Sequence, residues 1–293
     1  MNQSLFHLLQ HIPGFRPLVV RLHPVWYFRV TRWCVTLSSW FWPNTINRSR
    51  DFREVLRGRL DDKELPAKTR RYVFHMRLSK DLENAWNNWH RRHSDWITIE
   101  GESNLKAALQ QGRGAFLISP HNFGFSKLVA PALATRGYRV HRGGNGGERG
   151  SKKRMRWGEG FQFSWGYLDY KGDYWHRAQL LKVMLRVLAA NDVIHVSPRA
   201  YRQGDEEMAI EIFGHKYFLD ANWFRLFQLC EAPVLPCFAV GNENVPVTIM
   251  IHPALQNGKA KVKEYAEIQS RYITTFPEYG RMWKNLRLGK GRW

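Results

Sequence analysis

His121 stands in the run Gly114-Ala-Phe-Leu-Ile-Ser-Pro-His-Asn-Phe-Gly-Phe-Ser-Lys-Leu128, which carries the strongest chemical signal in the chain. An imidazole titrates near neutral pH and can take a proton from a hydroxyl, the work of a general base in group transfer. Asn122, beside the histidine, is a candidate substrate contact. Arg142 follows a strand-like segment, and Arg199 and Arg202 stand in Ser197-Pro-Arg-Ala-Tyr-Arg-Gln-Gly204. Their planar forks suit phosphate or carboxylate, while solvated loop arginines are the alternative. Lys152, Lys153 and Arg154 belong to the run Arg149-Gly-Ser-Lys-Lys-Arg-Met-Arg156, which has no acid. That run could dock an acidic carrier protein or lipid phosphates, or be a solvated helix face.

The elements around these residues read as α/β. Ala115 to Ile118 is an apolar run too short for a helix and is stopped by Pro120, so it predicts a buried strand. Phe123, Leu128, Val129, Ala132 and Leu133 then fit an apolar helical face through Arg136. A histidine between strand and helix stands at the carboxyl edge of a sheet, where such folds bind ligands. Further strands are expected at 96–100, 115–119, 138–141, 167–169, 193–196, 234–240 and 247–252. Helices are expected at 45–60, 66–92, 105–111 (capped by Ser103), 175–190 and 221–231, with a basic helical tail after Pro253. The pattern gives a mixed central sheet flanked by helices, with an N-terminal helical membrane-contacting region. Residues 1–45 form that interfacial region, and 46–293 form one α/β domain with the basic tail. The run Gly143-Gly-Asn-Gly-Gly147 lacks the strand-to-helix placement of a dinucleotide motif.

A net charge of +20 over 293 residues points to a polyanionic partner. Nucleic acid is disfavoured, because the tryptophans follow helical core spacing rather than alternating with Lys and Arg. Cys34, Cys230 and Cys237 have no zinc spacing and read as buried free thiols in a reducing compartment, so no metal is expected. No cleavable signal peptide is expected. In residues 25–42, Trp26, Val30, Trp33, Leu37 and Trp40 recur at helical spacing, interrupted by Arg29 and Arg32. This suits a helix lying in a membrane interface better than one crossing it; packing on the core is the alternative. Trp283, Arg287, Lys290 and Trp293 of the tail are expected to assist that attachment.

In order along the chain come the His121 block, Thr135-Arg-Gly-Tyr-Arg-Val140, Ile210-Glu-Ile-Phe-Gly-His-Lys216, Cys230-Glu-Ala-Pro-Val-Leu-Pro-Cys-Phe-Ala239, the strand ending at Pro253, and Phe276-Pro-Glu-Tyr-Gly-Arg-Met-Trp-Lys284. Together, over residues 47–284, they resemble the bacterial lipid A late acyltransferases of the lysophospholipid acyltransferase superfamily. That family places an Asp or Glu after the four residues following its histidine; here Ser126 stands there. Members also carry substrate contacts near Ser197, commonly with an acid after the proline, where this chain has Arg199.

The resemblance implies transfer of a thioester-bound acyl or aminoacyl group to a lipid A hydroxyl at the cytoplasmic face of the bacterial inner membrane. His121 is the base and Ser126 assists it. No cofactor is held; the donor is a phosphopantetheinyl thioester on an acidic acyl or aminoacyl carrier protein. One branch moves glycine instead of a fatty acid. Ser126, and a stretch after His121 that reads as polar and glycine-rich, lean that way. Glycine on lipid A would weaken the binding of cationic antimicrobial peptides. Asp205, Glu206, Glu207 and Glu159 are candidates for the missing acid, with solvated loop charges as their other reading. The alternative function is a catalytically inactive acyltransferase-like protein that binds lipid.

Overall fold

The computed structural model describes residues 26, 29, 43–89, 96–121, 123–143, 156–157, 160–161, 174–198, 200–201, 208–241, 247–256 and 260–283. In chain order, helices α1 (Pro43–Leu56) and α2 (Glu64–Trp89) precede strand β1 (Ile97–Glu100) and helix α3 (Glu102–Leu109). Strand β2 (Ala115–Ile118), helix α4 (Val129–Thr135) and strand β3 (Val140–Gly143) follow. Two short strands, β4 (Arg156–Trp157) and β5 (Gly160–Phe161), lead to helix α5 (Tyr174–Ala189) and strand β6 (Val193–Val196). Then come β7 (Ala200–Tyr201), β8 (Ala209–Ile212), β9 (His215–Leu219), helix α6 (Ala221–Cys230), β10 (Val234–Val240), β11 (Val247–Ile251) and helix α7 (Ala260–Thr275).

Six strands form the central sheet in the order β1-β11-β10-β2-β6-β3. Strands β10, β2, β6 and β3 are mutually parallel, whereas β11 runs antiparallel to β10 and β1 parallel to β11. The sheet is therefore mixed, and the carboxyl ends of four neighbouring strands share one edge. Every residue of β2, β6 and β10 is buried, as parallel strands covered on both faces require. Phe116 lies against Phe227 of α6 at 4.8 Å, and Phe238 stacks on Tyr272 of α7 at 3.9 Å. A second, three-stranded sheet, β7-β9-β8, stands beside it.

Several expected boundaries shift. Phe123 is not helical; it forms an isolated bridge with Gly280, and the chain becomes helical only in a 3₁₀ turn at Ser126–Leu128. Ser103 does not cap α3, because Gly101 holds that position and Asn104 Nδ2 donates to Ile251 O at 2.8 Å. Strand β3 starts at Val140 because Tyr138 is used elsewhere: its N–H closes the end of α4 on Leu133 O and its hydroxyl donates to Glu102 at 2.8 Å. The strand expected at 167–169 lies outside the described residues.

Trp283 is not available to a membrane. It is fully buried, edge-on to Phe52 of α1 at 5.2 Å and 5.7 Å from Phe213. Arg287, Lys290, Trp293 and most of 25–42 lie outside the described residues. Trp26 and Arg29, one turn apart in helical conformation, are both exposed, with the guanidinium 5.5 Å from the indole centre. No described helix is long and apolar enough to cross a membrane. Cys237 is buried and Cys230 partly so, both as free thiols; Cys34 lies outside the described residues.

Candidate active site

Strand β2 carries its chain to the shared carboxyl edge and ends at Ile118; Ser119, Pro120 and a turn at His121 follow. His121 is half-buried. Its loop is stitched down immediately afterwards. The Gly124 N–H donates to Tyr279 O at 3.0 Å, and the Phe125 N–H donates to Ala239 O at 2.8 Å. Gly124 has φ +56°, and a Cβ there would collide with Ala239 O, so glycine is demanded twice over. These bonds tie the histidine turn to the end of β10 and to the 3₁₀ turn Pro277–Tyr279.

The residues after His121 are aromatic and buried, which corrects the polar, glycine-rich reading of that stretch. Phe123 and Phe125 are almost wholly enclosed. Phe123 meets Phe238 edge-on at 6.3 Å, and Phe125 meets Tyr279 edge-on at 5.9 Å. His75 of α2 lies against Tyr279 at 3.9 Å. Burial, reinforced by the nearby Glu278, raises the Tyr279 hydroxyl above its ordinary range, and that hydroxyl donates to Gly241 O. Ser126 is buried at the start of the 3₁₀ turn, and among the described residues no hydrogen bond joins its hydroxyl to the imidazole.

Arg142 lies on the same edge as His121. It is half-buried near the end of β3 and is in register with His195 of β6, which is in register with Leu117 of β2. Two strand spacings separate β3 from β2, about 10 Å. His121 lies four residues beyond Leu117, the β2 residue level with Arg142. Asn122, Arg199, Arg202, Lys152, Lys153 and Arg154 lie outside the described residues, as do Glu159, Asp205, Glu206 and Glu207. The buried carboxylate nearest in sequence to the Tyr279 contact is Glu278, whose partners are Lys68 at 3.4 Å and Arg71 at 3.8 Å on α2. It anchors that helix to the turn behind the site. No three His, Cys, Asp or Glu gather as a metal site among the described residues.

Sequence reasoning missed a set of buried polar groups under the edge. Ser119 Oγ lies 2.9 Å from His195 Nε2, and the Ser119 hydroxyl acts on the neighbouring Cys237 thiol, opposing the rise that burial gives it. Burial, with Arg142 adding repulsion, pushes His195 down to about 3, while burial pushes Cys237 up to about 12. Both are neutral at working pH. A lone histidine inside the apolar run of 193–196 gave no hint of a partner 76 residues away.

No characterised protein matches the chain in sequence. The model of the bacterial lipid A biosynthesis acyltransferases matches residues 81–276, a span that takes in the central sheet, the His121 turn and the three-stranded sheet. That match covers most of the chain, and with it the histidine at the carboxyl edge acquires its context: the chain belongs to the bacterial lipid A biosynthesis acyltransferase family.

Proposed function

We propose that this acyltransferase takes its group from a carrier-protein thioester and delivers it to a hydroxyl of lipid A at the cytoplasmic face of the inner membrane. The observation that carries the reading is the placement of His121 and Arg142 on one edge of four parallel strands. His121 accepts the hydroxyl proton as the oxygen attacks the thioester carbonyl; the C–S bond then breaks and the departing thiolate recovers that proton. Arg142, with Arg199 and Arg202, binds phosphate of the acceptor, and Asn122 contacts substrate beside the base. Ser126 assists only weakly, because a hydroxyl cannot replace the charge of a carboxylate, whose loss costs on the order of 10⁴ in rate in the serine-protease case.

Glycine is the donor group we favour over a fatty acyl chain. Beside the His121 turn Phe123 packs on Phe238 and Phe125 on Tyr279, which we read as favouring a small group. A glycyl amine on lipid A would lower its negative charge and its attraction for cationic peptides. Mass spectrometry of lipid A from cells with and without the protein tests this directly. A gain of one glycyl residue is expected, abolished by His121→Ala, reduced less by Ser126→Ala, and retained or raised by Ser126→Glu. A gain matching a fatty acyl group overturns the glycyl assignment. The serine at position 126 also favours one other reading, an inactive lipid-binding protein, for which no lipid A mass change appears in either strain.

A further inference from the structure

We propose that Cys237, Ser119 and His195 form a positioning row that sets His121 relative to Arg142 across the carboxyl edge of the sheet. The inference rests on His121 and Arg142 acting as base and anion contact.

The row follows from register. His195 is opposite Leu117 on β2, so Ser119, two residues further, points to the same face. Pro236 is opposite Ile118, which brings Cys237 level with Ser119 on that face. Arg142 is opposite His195 on the far side. Strand β10, the residue just past β2, strand β6 and strand β3 thus each contribute one polar side chain, Cys237 level with Ser119 and His195 level with Arg142 two residues earlier. Ser119, His195 and Cys237 have no exposed surface at all.

Hydrogen-bond direction is fixed by what burial tolerates. His195 Nδ1 has no partner among the described residues. If Nδ1 carried the proton, a buried N–H would be stranded; with the proton on Nε2, only a lone pair is left over, which is tolerated better. The row therefore runs His195 Nε2–H to Ser119 Oγ, and Ser119 O–H to Cys237 Sγ. Ser119 both accepts and donates, and reversing either bond strands an N–H or O–H, whereas this direction leaves over only the thiol S–H, a weak donor. Such a row locks three strand ends at one spacing. It lies two residues before His121, and its imidazole stays uncharged beside Arg142, so the row adds no second cation there. A purely apolar contact at these positions would fill the space without fixing the angle of the Ser119–Pro120–His121 segment.

The test uses the full-length protein with Ser119→Ala, His195→Leu and His195→Gln; glutamine keeps an N–H at the ε position. Histidine-selective ¹⁵N NMR, with His121 and His195 assigned by substitution, is expected to show His195 as the Nε2–H tautomer, unchanged from pH 5 to pH 8. Ser119→Ala and His195→Leu are expected to lower kcat about tenfold or more and to move the His121 titration, while His195→Gln stays within about threefold of wild type. The proposal is overturned if His195 titrates in that range or carries its proton on Nδ1. It is equally overturned if the variants lose thermal stability while kcat, KM and the His121 titration stay put. Should wild type itself transfer nothing, the functional reading fails, and the NMR tautomer and the His121 titration in Ser119→Ala still decide the row.

Discussion

At the scale of single residues, His195 makes the fold sensitive to acid. Its ring is fully buried and neutral, with its basicity depressed from 6.5 to about 3 by burial first and Arg142 second. Between those values the unfolded chain binds a proton that the native protein refuses. Stability is therefore complete above pH 6.5 and falls as pH drops towards 3, by about 1.4 kcal/mol per pH unit. Urea unfolding at pH 8 and pH 5 should show wild type losing about 2 kcal/mol more than His195→Gln. Equal losses in the two proteins would mean that the native ring takes up the proton after all. The same position shows the limit of reading chemistry from sequence. His121 announces itself by standing between a strand and a helix, and Ser126 only through the family resemblance, whereas Ser119 and His195 acquire meaning only when β2 and β6 lie side by side.

Secondary elements were legible where one physical signal dominated. β2, β6 and β10 are short apolar runs bounded by breakers, and their limits in the structure differ little from those expected. The β8–β9 hairpin was missed although its burial alternates in β8. Its two-residue turn is Phe213-Gly214, with φ of +50° and +70° at the two positions, where asparagine or aspartate would normally flag such a turn. A bulky residue holds that left-handed conformation because Phe213 packs on Trp283 at 5.7 Å. Tertiary contact supplied what local chemistry lacked, and the same contact removed Trp283 from the expected membrane surface. The expected helix starts too early for a related reason, since Phe123 fits the helical spacing of Leu128, Ala132 and Leu133 but, with Phe125, is recruited by Tyr279 and β10. Gly124 is the hinge of that arrangement. Gly124→Ala is expected to cost about 3 kcal/mol or more, combining a left-handed residue with a backbone collision that cannot relax. Activity should fall further than stability explains when assayed below the melting transition. A folded, fully active Gly124→Ala protein would show that the tie from Phe125 to Ala239 does not hold the histidine turn.

Across the whole molecule the dominant fact is the charge of +20, more than the arginines near the edge can account for. Coenzyme A would need a few fixed cations for its phosphates, whereas positive charge spread along a chain suits a protein-sized or membrane-sized anion. The exposed Trp26–Arg29 pair fits the membrane side of that division, an aromatic ring and a cation at an interface, where each Lys or Arg contributes about 1 kcal/mol. Lys152, Lys153 and Arg154 are the part we assign to the carrier protein. Complementary charge of this kind acts on the rate of encounter more than on the stability of the complex, and it is screened over about 8 Å at physiological salt. Replacing all three by glutamate should therefore lower kcat/KM for the carrier-bound donor by about tenfold at low salt, leave kcat at saturation nearly unchanged, and flatten the salt dependence. Initial rates across a salt series, with wild type and variant converging as salt rises, are the measurement. If the triple variant matches wild type at low salt, or if free coenzyme A thioesters serve wild type as well as the carrier does, the positive run does not receive a carrier protein and the charge belongs to the membrane.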